Sequence, residues 1–124
     1  MPNLDTLFLD RDGVVNIKLK GRYVRDFSEF EFMRGALLAI SKLSKVFSRI
    51  IIVTNQQGIG KGIMSDSDLN SLHAKMLEKI EELGGKIHKI YYCPHLEAYN
   101  CLCRKPKPGM IQRAMIDFPD IIIQ

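Results

Sequence analysis

Apolar residues in this chain recur with two different periods. Three stretches read as strands. Thr6 to Asp10 carries the run Leu7-Phe8-Leu9. Arg49 to Thr54 is β-branched through Ile50-Ile51-Ile52-Val53, the signature of a strand buried on both faces. Lys86 to Cys93 alternates in part, with Ile87, Ile90 and Tyr92. Between them the period becomes helical. Gly35 to Phe47 places Leu37, Leu38, Ile40, Leu43, Val46 and Phe47 on one side, with lysines on the other. Ser65-Asp66-Ser67-Asp68 is a capping box that opens a second helix with Leu69, Leu72, Met76, Leu77, Ile80 and Leu83 on one face. Gly84-Gly85 stops it. Pro108 to Phe118 predicts a last short helix, and Asp120 to Gln124 the first residues of a fourth strand. Residues 13–34 keep no period and predict a loop or short flap over the mouth of a site, with Phe27, Phe30 and Phe32 packed on the core. His73 and His88 are expected to face solvent.

Strands alternating with helices predict a three-layer, Rossmann-like α/β fold: a parallel sheet with helices on both faces. Right-handed crossovers then gather the ends of all strands on one edge, so Asp10, Thr54 and Lys105 should converge. With 124 residues, one domain is the default. The net charge of +4 suits an anionic small molecule and leaves nucleic acid open. Neither a membrane-spanning apolar stretch nor an apolar signal segment is seen, and the expected compartment is the cytoplasm.

Chemistry concentrates in three places. In Asp10-Arg11-Asp12-Gly13, two carboxylates follow the end of a strand, and Gly13 lets the chain turn away. Close acids require a cation between them or a shared proton. Either outcome suits phosphoryl transfer, whereas taken alone the pair could be a turn and a helix cap. Thr54-Asn55-Gln56-Gln57-Gly58-Ile59-Gly60 follows the buried strand, where open α/β sheets bind ligands. The Thr54 hydroxyl and nearby N–H groups can donate to phosphate oxygens. Cys93, His95, Cys101 and Cys103 form C-x-H-x5-C-x-C, a ligand set for a closed, structural Zn²⁺ site. Its expected role is to fold loop 93–103 and hold Arg104 and Lys105 at the site.

Read together, L-D-R-D-G-V-V-N, V-T-N-Q-Q-G-I and C-P-H…C-x-C-R-K-P-K-P-G-M occur in the order found in haloacid dehalogenase-like phosphatases. From about Leu4 to Met115 the chain resembles the branch holding D-glycero-D-manno-heptose 1,7-bisphosphate phosphatase and histidinol-phosphate phosphatase. The resemblance implies a Mg²⁺-dependent phosphoric monoester hydrolase acting on a small-molecule phosphate, such as that heptose bisphosphate. Asp10 would be the nucleophile, forming an aspartyl-phosphate, and Asp12 the acid and then the base. Mg²⁺ would lie between Asp10, the Asp12 carbonyl and the phosphate. Thr54, Asn55 and Lys105 would hold the phosphate; Lys107 is the rival, set aside because Lys105 matches the R-K-P element. Arg11, Gly21, Arg22, Tyr23, Gln56, Gln57 and Arg104 are expected to contact substrate. For Arg22 two readings stay open: a partner for a second anionic group, or a solvated loop arginine.

The family also carries a fourth, acidic motif after a fourth strand, G-D-x-x-x-D-like, that completes the Mg²⁺ site. Ile121-Ile122-Ile123-Gln124 falls where that strand begins, so the C-terminal part of the fold is expected to be missing, and activity of the 124-residue chain alone is left open. Other readings are a histidinol-phosphate phosphatase, a nucleic-acid 3′-phosphatase and an inactive, zinc-stabilised phosphate-binding remnant. The zinc loop and the lack of a basic-aromatic stripe weigh against nucleic acid. The resemblance implies a monomer, with self-association through the C-terminal strand edge as the alternative.

Overall fold

A computed structural model describes residues 4–121. Three parallel strands, β1 (Leu4–Leu9), β2 (Phe47–Asn55) and β3 (Lys89–Cys93), form one sheet in the order β1-β2-β3. Leu9 pairs with Ile52, and Asn55 with Cys93. The helices are α1 (Ala36–Leu43), the single turn α2 (Gln57–Gly60), α3 (Asp66–Glu82) and α4 (Gly109–Asp117).

The central strand explains the layering. Successive side chains of a strand point to opposite faces, and β2 has apolar residues at both phases. Ile50 and Ile52 pack with Ile40 of α1 and Leu69, Leu72, Met76 and Ile80 of α3. Ile51 and Val53 pack with Tyr91 and Cys93 of β3 and Met110 and Ala114 of α4. The two cores lie on opposite faces of one sheet, which is the expected three-layer α/β architecture. Phe30 is buried, and Phe27 and Phe32 are partly buried against the first core, as expected.

Several boundaries differ from the sequence reading. Helix α1 ends at Leu43 rather than Phe47. The Ser44 hydroxyl and N–H both donate to the Ile40 carbonyl, and Val46, expected on the apolar stripe, is 45% exposed. β2 begins at Phe47, ahead of the expected Arg49. β3 begins at Lys89 rather than Lys86, although the His88 N–H already donates to the Ile50 carbonyl at 2.8 Å. His88 is exposed, as expected. His73 is not: it is 5% exposed on the inner face of α3, a correction to its expected place in solvent. Asp120 lies in a turn and Ile121 in no strand; the remainder of the expected fourth strand, with its edge, falls outside the described residues. The α3 capping box forms as read, with Asp68 N–H donating to Ser65 Oγ at 3.0 Å and Ser65 N–H to Asp68 Oδ2 at 2.9 Å.

Candidate active site and metal loop

Parallel strands end on one side of the sheet, and residues just beyond those ends line a cleft of about 530 Å³. Asp10 follows the last residue of β1. Its side chain is 45% exposed, and its Oδ1 accepts from the Arg11 backbone N–H at 2.8 Å. Lys105 Nζ lies 2.6 Å from the same oxygen and donates to the Val53 carbonyl at 3.1 Å. One ammonium group thus sits where β1 and β2 end, beside an accessible carboxylate.

Asp12 is held differently. Its Oδ1 accepts from Arg11 Nη2 at 2.7 Å and from Asn16 Nδ2 at 3.0 Å, and its Oδ2 from Gln56 Nε2 at 3.0 Å. Burial alone would raise the Asp12 pKa. The Arg11 charge and the hydrogen bonds from Arg11, Asn16 and Gln56 outweigh it and hold the carboxyl below its ordinary value. The turn that aims this carboxylate needs Gly13, whose φ of +87° suits few other residues. Beyond it, the N–H groups of Val14, Val15 and Asn16 converge on the Arg11 carbonyl.

Thr54, at the end of β2, is 1% exposed and accepts from Gln56 Nε2 at 3.0 Å, leaving its hydroxyl hydrogen as a donor. Asn55 grips the backbone of Lys105: its Oδ1 accepts from Lys105 N–H at 2.9 Å and its Nδ2 donates to the Lys105 carbonyl at 3.4 Å. The outer cleft is basic, lined by Lys18, Arg22, Lys61 and Arg104. Lys61 lies 5.4 Å from the centre of the Tyr23 ring. Hydrogen bonding from Gln57 and Lys61 lowers the Tyr23 pKa. Arg104 Nη1 is buried with no hydrogen-bond partner among the described residues, a donor in want of an acceptor. Arg22 pairs with Glu29 at 3.4 Å and is 65% exposed.

Beside the cleft, Cys93, His95, Cys101 and Cys103 bring one ligand atom each to within 4.8 Å of one another. Four of the separations are 3.4 Å (Cys93–Cys101), 3.6 Å (Cys103–Cys101), 3.6 Å (Cys93–His95 Nδ1) and 3.2 Å (His95 Nδ1–Cys103). A tetrahedron built on ~2.3 Å zinc–sulfur bonds has edges of about 3.8 Å. Cys93 and Cys103 are in disulfide contact, and Cys101 is free. A disulfide would employ two of these four groups, whereas a soft cation employs all of them. The donor set therefore fits Zn²⁺, held as three thiolates and one imidazole. The loop abuts the phosphate-side loop at Gly60, whose N–H donates to the Pro94 carbonyl at 2.9 Å. A Cβ there would come within 2.6 Å of that oxygen, so the approach requires glycine.

A family model described as polynucleotide kinase 3 phosphatase matches residues 7–124. The chain belongs to this phosphatase family. Its relatives place it among the haloacid dehalogenase-like phosphatases, with those of heptose bisphosphate. It is 41% identical over 114 residues to a D-glycero-alpha-D-manno-heptose-1,7-bisphosphate 7-phosphatase of Mycobacterium bovis, covering 92% of this chain and 60% of the relative. It is 40% identical over 106 residues to a D-glycero-beta-D-manno-heptose-1,7-bisphosphate 7-phosphatase of Neisseria meningitidis, covering 86% and 56%. The crystal structure of a D,D-heptose 1,7-bisphosphate phosphatase from B. bronchiseptica, complexed with magnesium and phosphate, superposes with a TM-score of 0.87 at 33% identity, covering 94% of this chain and 64% of that one. The chain thus spans about 60% of the length of the Mycobacterium relative.

The expected residues Asp10, Asp12, Gly21, Arg22, Tyr23, Thr54, Asn55, Gln56, Gln57, Arg104 and Lys105 all line this same cleft. Arg11 lines it too, but its side chain departs from the expected substrate contact. It is 0% exposed, and its guanidinium is engaged by Asp12 and His73, so it serves the site from beneath. The amides of Asn55, Gln56 and Gln57 are likewise engaged with protein groups. Gln57 donates to Tyr23 Oη at 3.0 Å and accepts from Glu97 N–H at 2.8 Å. Lys107, the rival to Lys105, contacts Asn100 and does not line the cleft.

Lys18, Lys61, Asn16 and His73 were missed by the sequence reading. His73 had a signal: with Leu69, Leu72, Met76 and Ile80 it completes the buried stripe of α3. A Mg²⁺ ion fits the all-oxygen set of the Asp10 carboxylate and the Asp12 main-chain carbonyl. The Asp12 carboxylate oxygens already have protein donors.

Proposed function

We propose that this chain forms the catalytic core of a Mg²⁺-dependent phosphatase that hydrolyses a sugar bisphosphate, of the class of D-glycero-D-manno-heptose 1,7-bisphosphate, through an aspartyl-phosphate. The observation that carries this reading is the pairing of an accessible Asp10 with Lys105, next to a fully hydrogen-bonded Asp12, under a basic outer cleft. Asp10 Oδ attacks phosphorus and the bond to the leaving alkoxide breaks. Lys105 and Thr54 donate to the phosphoryl oxygens as charge moves onto them. Asp12 hands a proton to the leaving oxygen, then takes one from the water that attacks phosphorus and frees Asp10. Because its surroundings favour the carboxylate, the first proton arrives most simply with the monoprotonated phosphate ester. Asp10 and the Asp12 main-chain carbonyl would hold the Mg²⁺, which would supply charge neutralisation for the phosphate. The cationic groups of Arg104, Lys61 and Lys18 suit the second phosphate of a bisphosphate. The proposed state is a monomer, as the family resemblance implies, in the cytoplasm, where thiolates stay reduced for zinc.

The description of the family model supports a second reading, a 3′-phosphatase of nucleic acid ends. Phosphate release in Mg²⁺ from both anomers of the heptose bisphosphate, and from a 3′-phosphorylated oligonucleotide, separates the two. The first reading expects release from a heptose bisphosphate, abolished in Asp10→Asn with the circular dichroism unchanged. Release from the oligonucleotide alone would favour the second reading, and wild-type turnover by Asp10→Asn would sink both.

A further inference from the structure

One buried titratable group has no part in the chemistry above. His73 rises from α3 beneath the cleft, and its Nε2 lies 3.1 Å from Arg11 Nη1. The other terminal nitrogen of Arg11 donates to Asp12 Oδ1 at 2.7 Å. A guanidinium only donates. The ring nitrogen facing it must therefore be the acceptor, which makes His73 neutral with its proton on Nδ1. Burial and the Arg11 charge act in the same direction, lowering the His73 pKa to about 3. Arg11 itself is 0% exposed, and its Nε has no hydrogen-bond partner among the described residues. Phe30 stands 5.9 Å from the guanidinium carbon. The described side-chain hydrogen bonds of the guanidinium thus go to His73 on one side and Asp12 on the other.

We propose that His73 is a positioning residue: through its Nε2 lone pair it fixes the Arg11 guanidinium, and through Arg11 it fixes the Asp12 carboxylate for proton transfer. This rests on the reading of Asp12 as the acid and base. Without the acceptor, Arg11 keeps its charge and its bond to Asp12 but loses its second tether, so Asn16 and Gln56 alone hold Asp12 against a guanidinium that can shift. A residue that only filled space would be replaced by any side chain of similar volume.

Two variants separate these roles. His73→Gln returns an acceptor oxygen; His73→Leu returns volume without one. Nitrogen NMR of ring-labelled histidine at neutral pH should show a bare Nε2 and a protonated Nδ1; a proton on Nε2 overturns the proposal. In carboxyl-labelled protein, the Asp12 signal, assigned by its loss in Asp12→Asn, should move in His73→Leu and return towards its wild-type position in His73→Gln. An unmoved signal in the leucine variant also overturns it. In turnover, His73→Leu should lose about ten- to a hundredfold in kcat on an alkyl phosphate, the scale of one charge-assisted hydrogen bond. Its loss should be smaller on p-nitrophenyl phosphate, whose leaving group needs little protonation, and KM should stay steady. Equal losses on both substrates, or no rescue by glutamine, would reduce His73 to a packing residue. If Asp12→Asn itself treats the two substrates alike, the acid–base reading fails, and the two spectra still decide whether His73 holds Asp12.

Discussion

Asp12 is gripped at both carboxylate oxygens and Asp10 at one, a difference that suits the roles proposed for them. A nucleophile must present a free, reachable oxygen, whereas a proton carrier must return to the same place twice per cycle. Beneath Asp12, His73 brings a cost in acid. Its pKa falls from 6.5 to about 3, chiefly because burial opposes the charged ring. Between those values the unfolded chain binds a proton that the native ring refuses, so stability falls as pH drops from 6.5 towards about 3. The slope is at most about 1.4 kcal/mol per pH unit. His73→Gln lacks this loss. Urea midpoints at about pH 7.5 and about pH 5, on either side of the ordinary histidine pKa, should therefore show the wild type losing ground to the variant on acidification. A constant difference would contradict the pKa shift. The acids and Thr54 were legible because polar residues directly after an apolar strand fall at the carboxyl edge of a parallel sheet. His73 was hidden by its type, since it occupies an apolar position with a polar ring. The amides of Asn55 and Gln56 were harder still, because an amide beside a phosphate loop reads alike whether it binds a ligand or its own chain.

At the scale of elements, periodicity found the three strands and the main helices, and the errors lie at their ends. Helix α1 stops early: Ser44 doubles its bond to the Ile40 carbonyl, and the next N–H groups, of Lys45 and Val46, turn to the carbonyls of Lys42 and Leu43 three residues back, a local tightening that the spacing of leucines does not encode. Helix α3 started where the capping box said it would. Its opening is a measurable contribution: Ser65→Ala removes the acceptor for Asp68 N–H and should destabilise the fold by about 1 kcal/mol in urea unfolding. No change in midpoint would mean that packing on Leu69 and Leu72 alone fixes the helix start. In the sheet, β2 presents apolar residues to both faces and so belongs to two cores at once. That double burial is why its run of isoleucines was the clearest strand signal in the chain.

At the scale of the whole molecule, the metal loop joins stability to catalysis. Protein purified without added zinc should contain about one zinc per chain, as the closed four-ligand set implies. Cys101→Ser should loosen the loop, lower zinc content and reduce solubility, read by metal analysis and sedimentation. A metal-free chain with an intact fold would show that the cluster is not a zinc site. The loop also delivers Lys105, and the manner of delivery has consequences for how such a site changes over generations. Asn55 holds the main chain of Lys105, not its side chain, and Cys103 anchors the chain two residues earlier. Neither anchor depends on which side chains Arg104, Lys105 and Lys107 carry. Within that frame Arg104, which lines the outer cleft and whose Nη1 has no hydrogen-bond partner among the described residues, can be exchanged to suit another anion while Lys105 stays on Asp10. Freedom to change is thereby concentrated at one position of the outer cleft, while Asn55, Lys105 and the cysteines are left with almost none.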